Sequence, residues 1–255
     1  MYREHSPGKR LARAVACYWT TTSTGNPHRV LPDGCIDIVL RRTRTSESFC
    51  AQIVGTMRTA LVVDDPPCVE YLGVRFAPAE AFRFLALPAH EATDQVVPLE
   101  AVWGRMASEL ESRVSDAKDE TARLSVFEDV LERRLPNAAP GDFRLRKAIA
   151  AMRSPESRLD DWGIGSRQMR RLFEKYVGLS PKAFARVLRM QRAVSMIGRG
   201  TARTGAELAA ACGYFDQSHL VREFRALTGL SPRALAKAQS MTVLSNPPAS
   251  FPDIG

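Results

Sequence analysis

A chain of 255 residues with 45% apolar side chains is long enough to bury a substantial core, too apolar to be a disordered segment, and suited in length to two domains. No apolar run approaches the ~18 residues of a membrane-spanning helix. The polar amino terminus has no signal-peptide core behind it, so a cytoplasmic protein with no membrane partner is expected. The net charge of +8 is unevenly held: residues 1–135 carry 17 Lys and Arg against 19 Asp and Glu, and residues 136–255 carry 19 against 9, which points to a polyanionic partner at the carboxy-terminal end alone.

In chain order, residues 1–76 read as β-rich. Segments 14–22, 29–31, 35–41, 49–57 and 69–76 are enriched in β-branched and aromatic residues, and Gly25-Asn26-Pro27, Pro32-Asp33-Gly34 and Asp64-Asp65-Pro66-Pro67 supply turns between them. A compact antiparallel barrel or sandwich is expected. Alternation puts Cys35, Asp37 and Val39 on one strand face and Ile36, Ile38 and Leu40 on the other, so Asp37 faces either solvent or a polar pocket. The five cysteines are odd in number and scattered, without Cys-x-x-Cys or paired-His spacing, which argues against a disulfide framework and a structural zinc site; no metal or other cofactor is expected.

From Pro78 the pattern takes a helical period over 78–86, 98–113 and 120–135. The last of these has Leu124, Phe127, Val130, Leu131 and Leu135 to bury, either on the β-rich region or against a second copy in a homodimer. Pro136-Asn137-Ala138-Ala139-Pro140-Gly141 then breaks every pattern. The domains are therefore placed at 1–135 and 142–239, with a linker at 136–141 and a disordered tail at 240–255.

The second domain contains an internal repeat. Phe173-Glu174-Lys175-Tyr176-Val177-Gly178-Leu179-Ser180-Pro181 returns 51 residues later as Phe224-Arg225-Ala226-Leu227-Thr228-Gly229-Leu230-Ser231-Pro232. In each copy a helix runs into the Phe, the glycine suits a left-handed C-cap, and Ser-Pro opens the next helix. Over 166–177, Met169, Leu172, Phe173 and Tyr176 form one apolar stripe that turns Arg167, Arg170 and Arg171 outward. In the second copy Leu220, Phe224 and Leu227 form the stripe, with Gln217, Ser218, His219 and Arg222 outside or near its leading edge. A supporting helix at 143–152, a long helix at 181–199 and a small-residue helix at 206–212 followed by Gly213 complete a pattern of two helix-turn-helix motifs. Arg189 on the long helix is a candidate phosphate contact.

Residues from about 142 to 239 resemble the DNA-binding domain of AraC/XylS-type transcriptional regulators, most specifically through Ala206-Glu207-Leu208-Ala209-Ala210-Ala211-Cys212-Gly213-Tyr214-Phe215-Asp216-Gln217-Ser218-His219-Leu220-Val221-Arg222-Glu223-Phe224 and the following Gly229-Leu230-Ser231-Pro232. The resemblance implies an α+β protein: a β-rich barrel or sandwich with following helices, then an all-α domain of two helix-turn-helix motifs joined by a long helix. It implies a sequence-specific regulator of transcription that places the second helix of each motif in adjacent major grooves of double-stranded DNA. The matching base-facing positions are Arg167, Arg170 and Arg171, then Gln217, Ser218, His219 and Arg222. RNA polymerase is an implied partner if the protein activates. The first copy departs from the family pattern: no leucine-alanine pair lies between Met152 and Ser166, and Gly165 stands at the usual N-cap.

The first domain resembles, more loosely, the sensor or dimerisation domains of that family through residues 28–37 and 73–76. His28, Asp37 and Arg75 are then candidate groups for a small polar effector and Cys35 a candidate reactive thiol, against a reading of Asp37 as a local hydrogen-bond partner and Cys35 as core. Two further alternatives stand beside the effector-controlled regulator. One is a constitutive DNA-binding protein whose first half mediates only assembly or partner contacts. The other is an enzyme using His28 with Cys35, which the absence of G-x-S-x-G and phosphate-cradling glycine loops disfavours; the expectation is that the chain is not an enzyme.

Overall fold

The computed structural model describes residues 2–135, 143–154, 167–202 and 204–238. The amino-terminal half is built on a six-stranded antiparallel sheet in the order β1 (Arg3–His5), β2 (Val15–Thr22), β7 (Glu70–Phe76), β4 (Asp37–Arg42), β5 (Cys50–Val54) and β8 (Val96–Pro98). A two-stranded sheet pairs β3 (His28–Val30) with β6 (Leu61–Val63). The expected strands are present. The strands β1, β6 and β8 were not among them; each is three residues long and is held by pairing with β2, β3 and β5 respectively.

The large sheet has two unlike faces. One carries Tyr18, Leu72, Val74, Phe76, Ile38, Leu40 and Ile53 into the main apolar core. That core is closed by α1 (Phe82–Leu85), α2 (Glu100–Trp103), α3 (Arg105–Asp116) and α4 (Glu120–Arg134). The helix expected over 98–113 is two helices, because Gly104 takes φ +55 and ends α2 before α3 begins. The apolar side of α4 is spent within the chain: Phe127, Val130 and Leu131 are buried in this core, with Leu124 and Leu135 packed on its edge. The opposite face of the sheet is roofed by the β3–β6 pair.

The helical half comprises α5 (Phe143–Met152), α6 (Arg167–Tyr176), α7 (Pro181–Arg199), α8 (Gly205–Ala211), α9 (Gln217–Thr228) and α10 (Pro232–Ala238). Two apolar clusters follow one another along α7. Leu145, Ile149, Met152, Phe173 and Val177 pack with Phe184 and Val187, whereas Met190 and Val194 pack with Leu208, Leu220, Phe224 and Leu227. The caps follow the sequence. Ser180 and Asp216 accept backbone N–H groups at the starts of α7 and α9, Thr204 and Glu207 form a reciprocal capping box at α8, and Gly178 and Gly229 take φ +84 and +74 where α6 and α9 end. The expected linker, tail, Gly165 N-cap and most of the shortened segment before α6 lie outside the described residues. No helix among the described residues is long and apolar enough to cross a membrane.

Candidate nucleic-acid interface and an internal cavity

On α6, Phe173 is buried with Met169, Leu172 and Tyr176 packed beside it, and this anchoring leaves Arg167, Arg170 and Arg171 exposed on the other side. Arg170 pairs with Glu174 one turn on, at 2.9 Å. Arg171 and Lys175 continue into a groove shared with Arg58 and His90 of the amino-terminal half. On α9, burial of Leu220, Phe224 and Leu227 leaves Gln217, Ser218, Arg222 and Arg225 exposed.

His219 is held differently from its neighbours. It is half-buried, its Nδ1 accepts the Phe215 N–H at 3.2 Å, its Nε2 lies 3.5 Å from Glu223, and its ring meets Tyr214 edge-on. Arg189 is not a free phosphate contact. With Arg186 it clamps Glu223 at 3.0 Å, joining α7 to α9. Burial opposes ionisation of Glu223, but the hydrogen bond from Arg189 and the charges of Arg189, Arg186 and His219 outweigh it and hold the carboxyl below its usual range.

His28, Asp37 and Arg75 line one cavity of about 260 Å3 between the large sheet and the β3–β6 roof. Strand register explains the polar end: Asp37 lies directly opposite Arg75 across β4 and β7. Asp37 Oδ2 accepts from Arg75 at 3.1 Å and from the Trp19 indole N–H at 2.9 Å, while Asp33 reaches the same guanidinium at 3.0 Å. Burial and the neighbouring Asp33 push the Asp37 carboxyl up to about 6 against the pull of Arg75. Cys35 also lines the cavity, but burial, with Asp33 beside it, pushes its thiol well above the ordinary range, so it is not the reactive thiolate expected of a nucleophile. Tyr2, Trp19 and Asp33 belong to this site although sequence reasoning passed them over; the alternation that singled out Asp37 would have flagged Trp19 had β2 been read in register with β7.

Two connections lead from this cavity to the helical half. Segment 31–35 lines the cavity with Asp33 and Cys35, while Leu31 joins the core of the second motif and the Pro32 carbonyl accepts from Gln191 of α7. Gly34 in the same segment takes φ +79 against the Phe184 ring, with no room for a Cβ. Segment 55–61 lines the cavity with Gly55, Met57 and Leu61. Between them, Thr56 Oγ donates to the Val177 carbonyl past the end of α6 at 2.6 Å, and the Ala60 N–H donates to the Leu227 carbonyl near the end of α9 at 2.7 Å. Thr93 adds a hydrogen bond to the Gly178 carbonyl at 2.9 Å, and Phe82 meets Tyr176 edge-on at 5.0 Å.

Residues 160–238 match a family described as a helix-turn-helix domain, and residues 3–98 match a family described as a domain of unknown function, DUF6597. No curated protein matches the chain. Similar solved structures include ToxT from Vibrio cholerae O395, 11% identical over 88% of this chain and 99% of that one, with a TM-score of 0.43. ToxT from the same strain bound to (E)-4-(8-methylnaphthalen-1-yl)but-3-enoic acid is 10% identical over 86% and 98%, with a TM-score of 0.42. Unsaturated fatty acid bound wild-type ToxT from Vibrio cholerae strain SCE256 is 10% identical over 86% and 94%, also with a TM-score of 0.42.

Proposed function

From its AraC-type helix-turn-helix domain, joined to an amino-terminal domain of a separate family, we propose that this chain is a sequence-specific transcription regulator whose DNA binding is controlled by a small molecule in the cavity. One observation carries the control: the two segments that line the cavity are the segments that hold α6, α7 and α9. A change in how Met57 is packed is one residue away from the Thr56 contact at the end of α6, and a change in how Asp33 is packed is one residue away from the Pro32 contact on α7, the helix between the two motifs. The constitutive alternative gives no role to a walled cavity connected in this way. The regulator reading also makes the chain a cytoplasmic protein and not an enzyme, and the raised Cys35 thiol removes the His28–Cys35 chemistry that an enzyme would need.

In this reading α6 and α9 enter adjacent major grooves. Arg167, Arg170 and Arg171 meet phosphates or guanines; Gln217, Ser218 and Arg222 read base edges; and His219 meets the DNA at the rim of its contacts with Phe215 and Glu223. The test is selection of bound sequences from random duplex DNA by the full chain at near-physiological salt. Two enriched blocks about one helical turn apart, ~34 Å, are expected. Arg222→Ala should narrow the preference for the selected operator over random DNA by about 5- to 160-fold, the equivalent of ~1–3 kcal/mol for a lost base contact. No enrichment overturns the function; equal losses on both DNAs remove Arg222 from the base-reading set.

A further inference from the structure

Phe215 is 91% exposed, more than any other bulky apolar side chain among the described residues. The backbone on both sides of it is fixed. Tyr214 before it is buried in the core of the second motif, meets the His219 ring edge-on, and donates its N–H to the Ala209 carbonyl at 2.9 Å. The Phe215 N–H donates to His219 Nδ1 at 3.2 Å, and Asp216 after it caps α9 by accepting the His219 N–H at 2.6 Å. With Tyr214 seated in the core, Phe215 is turned out. The next two side chains do not cover it: the Asp216 carboxylate is held at its cap, and the Gln217 carboxamide lies on Gly205 of α8, where an added Cβ would stand 2.7 Å from it.

A phenyl ring left in water forgoes the gain that burial would bring. Its place in the fold says what buries it. Phe215 stands one residue before the N-cap of α9, and the leading residues of the second helix of a helix-turn-helix motif are the ones that meet base edges. The ring has no donor or acceptor, so it can hydrogen-bond neither a phosphate nor a base. The apolar group that base edges present in the major groove is the C5-methyl of thymine, and phenylalanine is among the side chains that read it. A protein surface is a poorer occupant. The other bulky apolar side chains exposed among the described residues, Leu61, Val62, Val96, Met106 and Phe143, lie outside α8–α10, and Asp216, Gln217 and Ser218 beside Phe215 are polar and exposed, so no apolar patch extends from the ring along this motif. One ring suffices for one methyl.

Resting on the reading of α9 as a helix that enters a major groove, we propose that Phe215 is a further specificity-determining residue, whose ring packs on the C5-methyl of a thymine in the block that α9 reads. It adds an apolar contact to the polar ones of Gln217, Ser218 and Arg222, and it selects thymine over cytosine, which lacks the methyl.

The test is the affinity of the full chain for the selected operator with each thymine replaced in turn by deoxyuridine, which keeps the base pair and removes only the C5-methyl. At one thymine the wild type should lose about fourfold, the worth of one buried methyl. Phe215→Ala should bind the unmodified operator at least about fourfold more weakly, hold its affinity for random duplex within about twofold of wild type, and be indifferent to deoxyuridine at that one position. If no deoxyuridine weakens the wild type, or if Phe215→Ala keeps the wild type's sensitivity at every thymine, the contact is overturned and the regulator reading stands. Equal losses of Phe215→Ala on operator and random duplex overturn it too, and place the ring on the sugar–phosphate backbone. If no sequence is selected from random DNA, the regulator reading falls and the contact falls with it.

Discussion

Asp37 lies in register with an arginine, yet its carboxyl is harder to ionise than one in water, because burial and the second carboxylate of Asp33 outweigh Arg75. The sign of its contribution to stability follows. A folded value of about 6 against 3.8 in the unfolded chain places a penalty on the folded state that is absent below pH 3.8 and complete above about pH 6. Lowering the pH from 7 to 5 should therefore return roughly 1 kcal/mol through this group, since a tenfold change in a protonation equilibrium is worth ~1.4 kcal/mol. Urea unfolding of the wild type and Asp37→Asn at both pH values reads this as a difference: the wild type gains relative to the variant on acidification. An identical pH response in the two proteins would show that Asp37 is not held in the raised state. Strand alternation separated Asp37 from the apolar face of its strand but left solvent and a polar pocket open as its surroundings; the structure puts it in the pocket. Its partners were not legible, since Arg75 and Trp19 are 38 and 18 residues away and meet it only through the pairing of β4, β7 and β2.

At the scale of elements, the repeated Phe…Gly-Leu-Ser-Pro signature was readable because each residue has a local reason to be there. The Phe is buried at 0% exposure in both copies, the Gly ends the helix with positive φ, and the Ser caps the helix that follows. Local chemistry also fixed α5 and α7 to their observed limits. It failed where the determinant was long-range: the very short strands exist only because a neighbour pairs with them, and the break between α2 and α3 depends on one glycine in a pattern that reads as continuous. Arg189 shows the same limit, since its partner Glu223 lies 34 residues on, across the α7–α9 contact. Gly229→Ala places a Cβ at φ +74 and brings it toward the Arg29 guanidinium, so it should cost about 1 kcal/mol or more in chemical denaturation. A stability equal to wild type would mean that the end of α9 relaxes without loss and does not hold the Leu227 contact in place.

The whole molecule joins these parts through contacts that no single segment announces. Thr56, Ala60, Pro32 and Thr93 hold the helical half at the ends of α6 and α9 and along α7, and the groove beside α6 runs from Arg171, Glu174 and Lys175 onto Arg58 and His90. The docked arrangement brings Arg171 and Lys175 of α6 into one groove with Arg58 of the amino-terminal half, where Glu174 and the Arg58–Asp94 pair also lie, and we take it as the state that grips the operator. Loosening the dock should weaken operator binding without removing the charges that bind any DNA. The measurement that tests this most directly is the affinity of the Thr56→Val, Gln191→Ala double variant for the selected operator and for random duplex of equal length. The account predicts a loss of at least about fivefold on the operator, worth ~1 kcal/mol, with random-duplex affinity within about twofold of wild type. Unchanged operator affinity, in a variant that still folds, would contradict the claim that the cavity-lining segments set how the two motifs meet DNA.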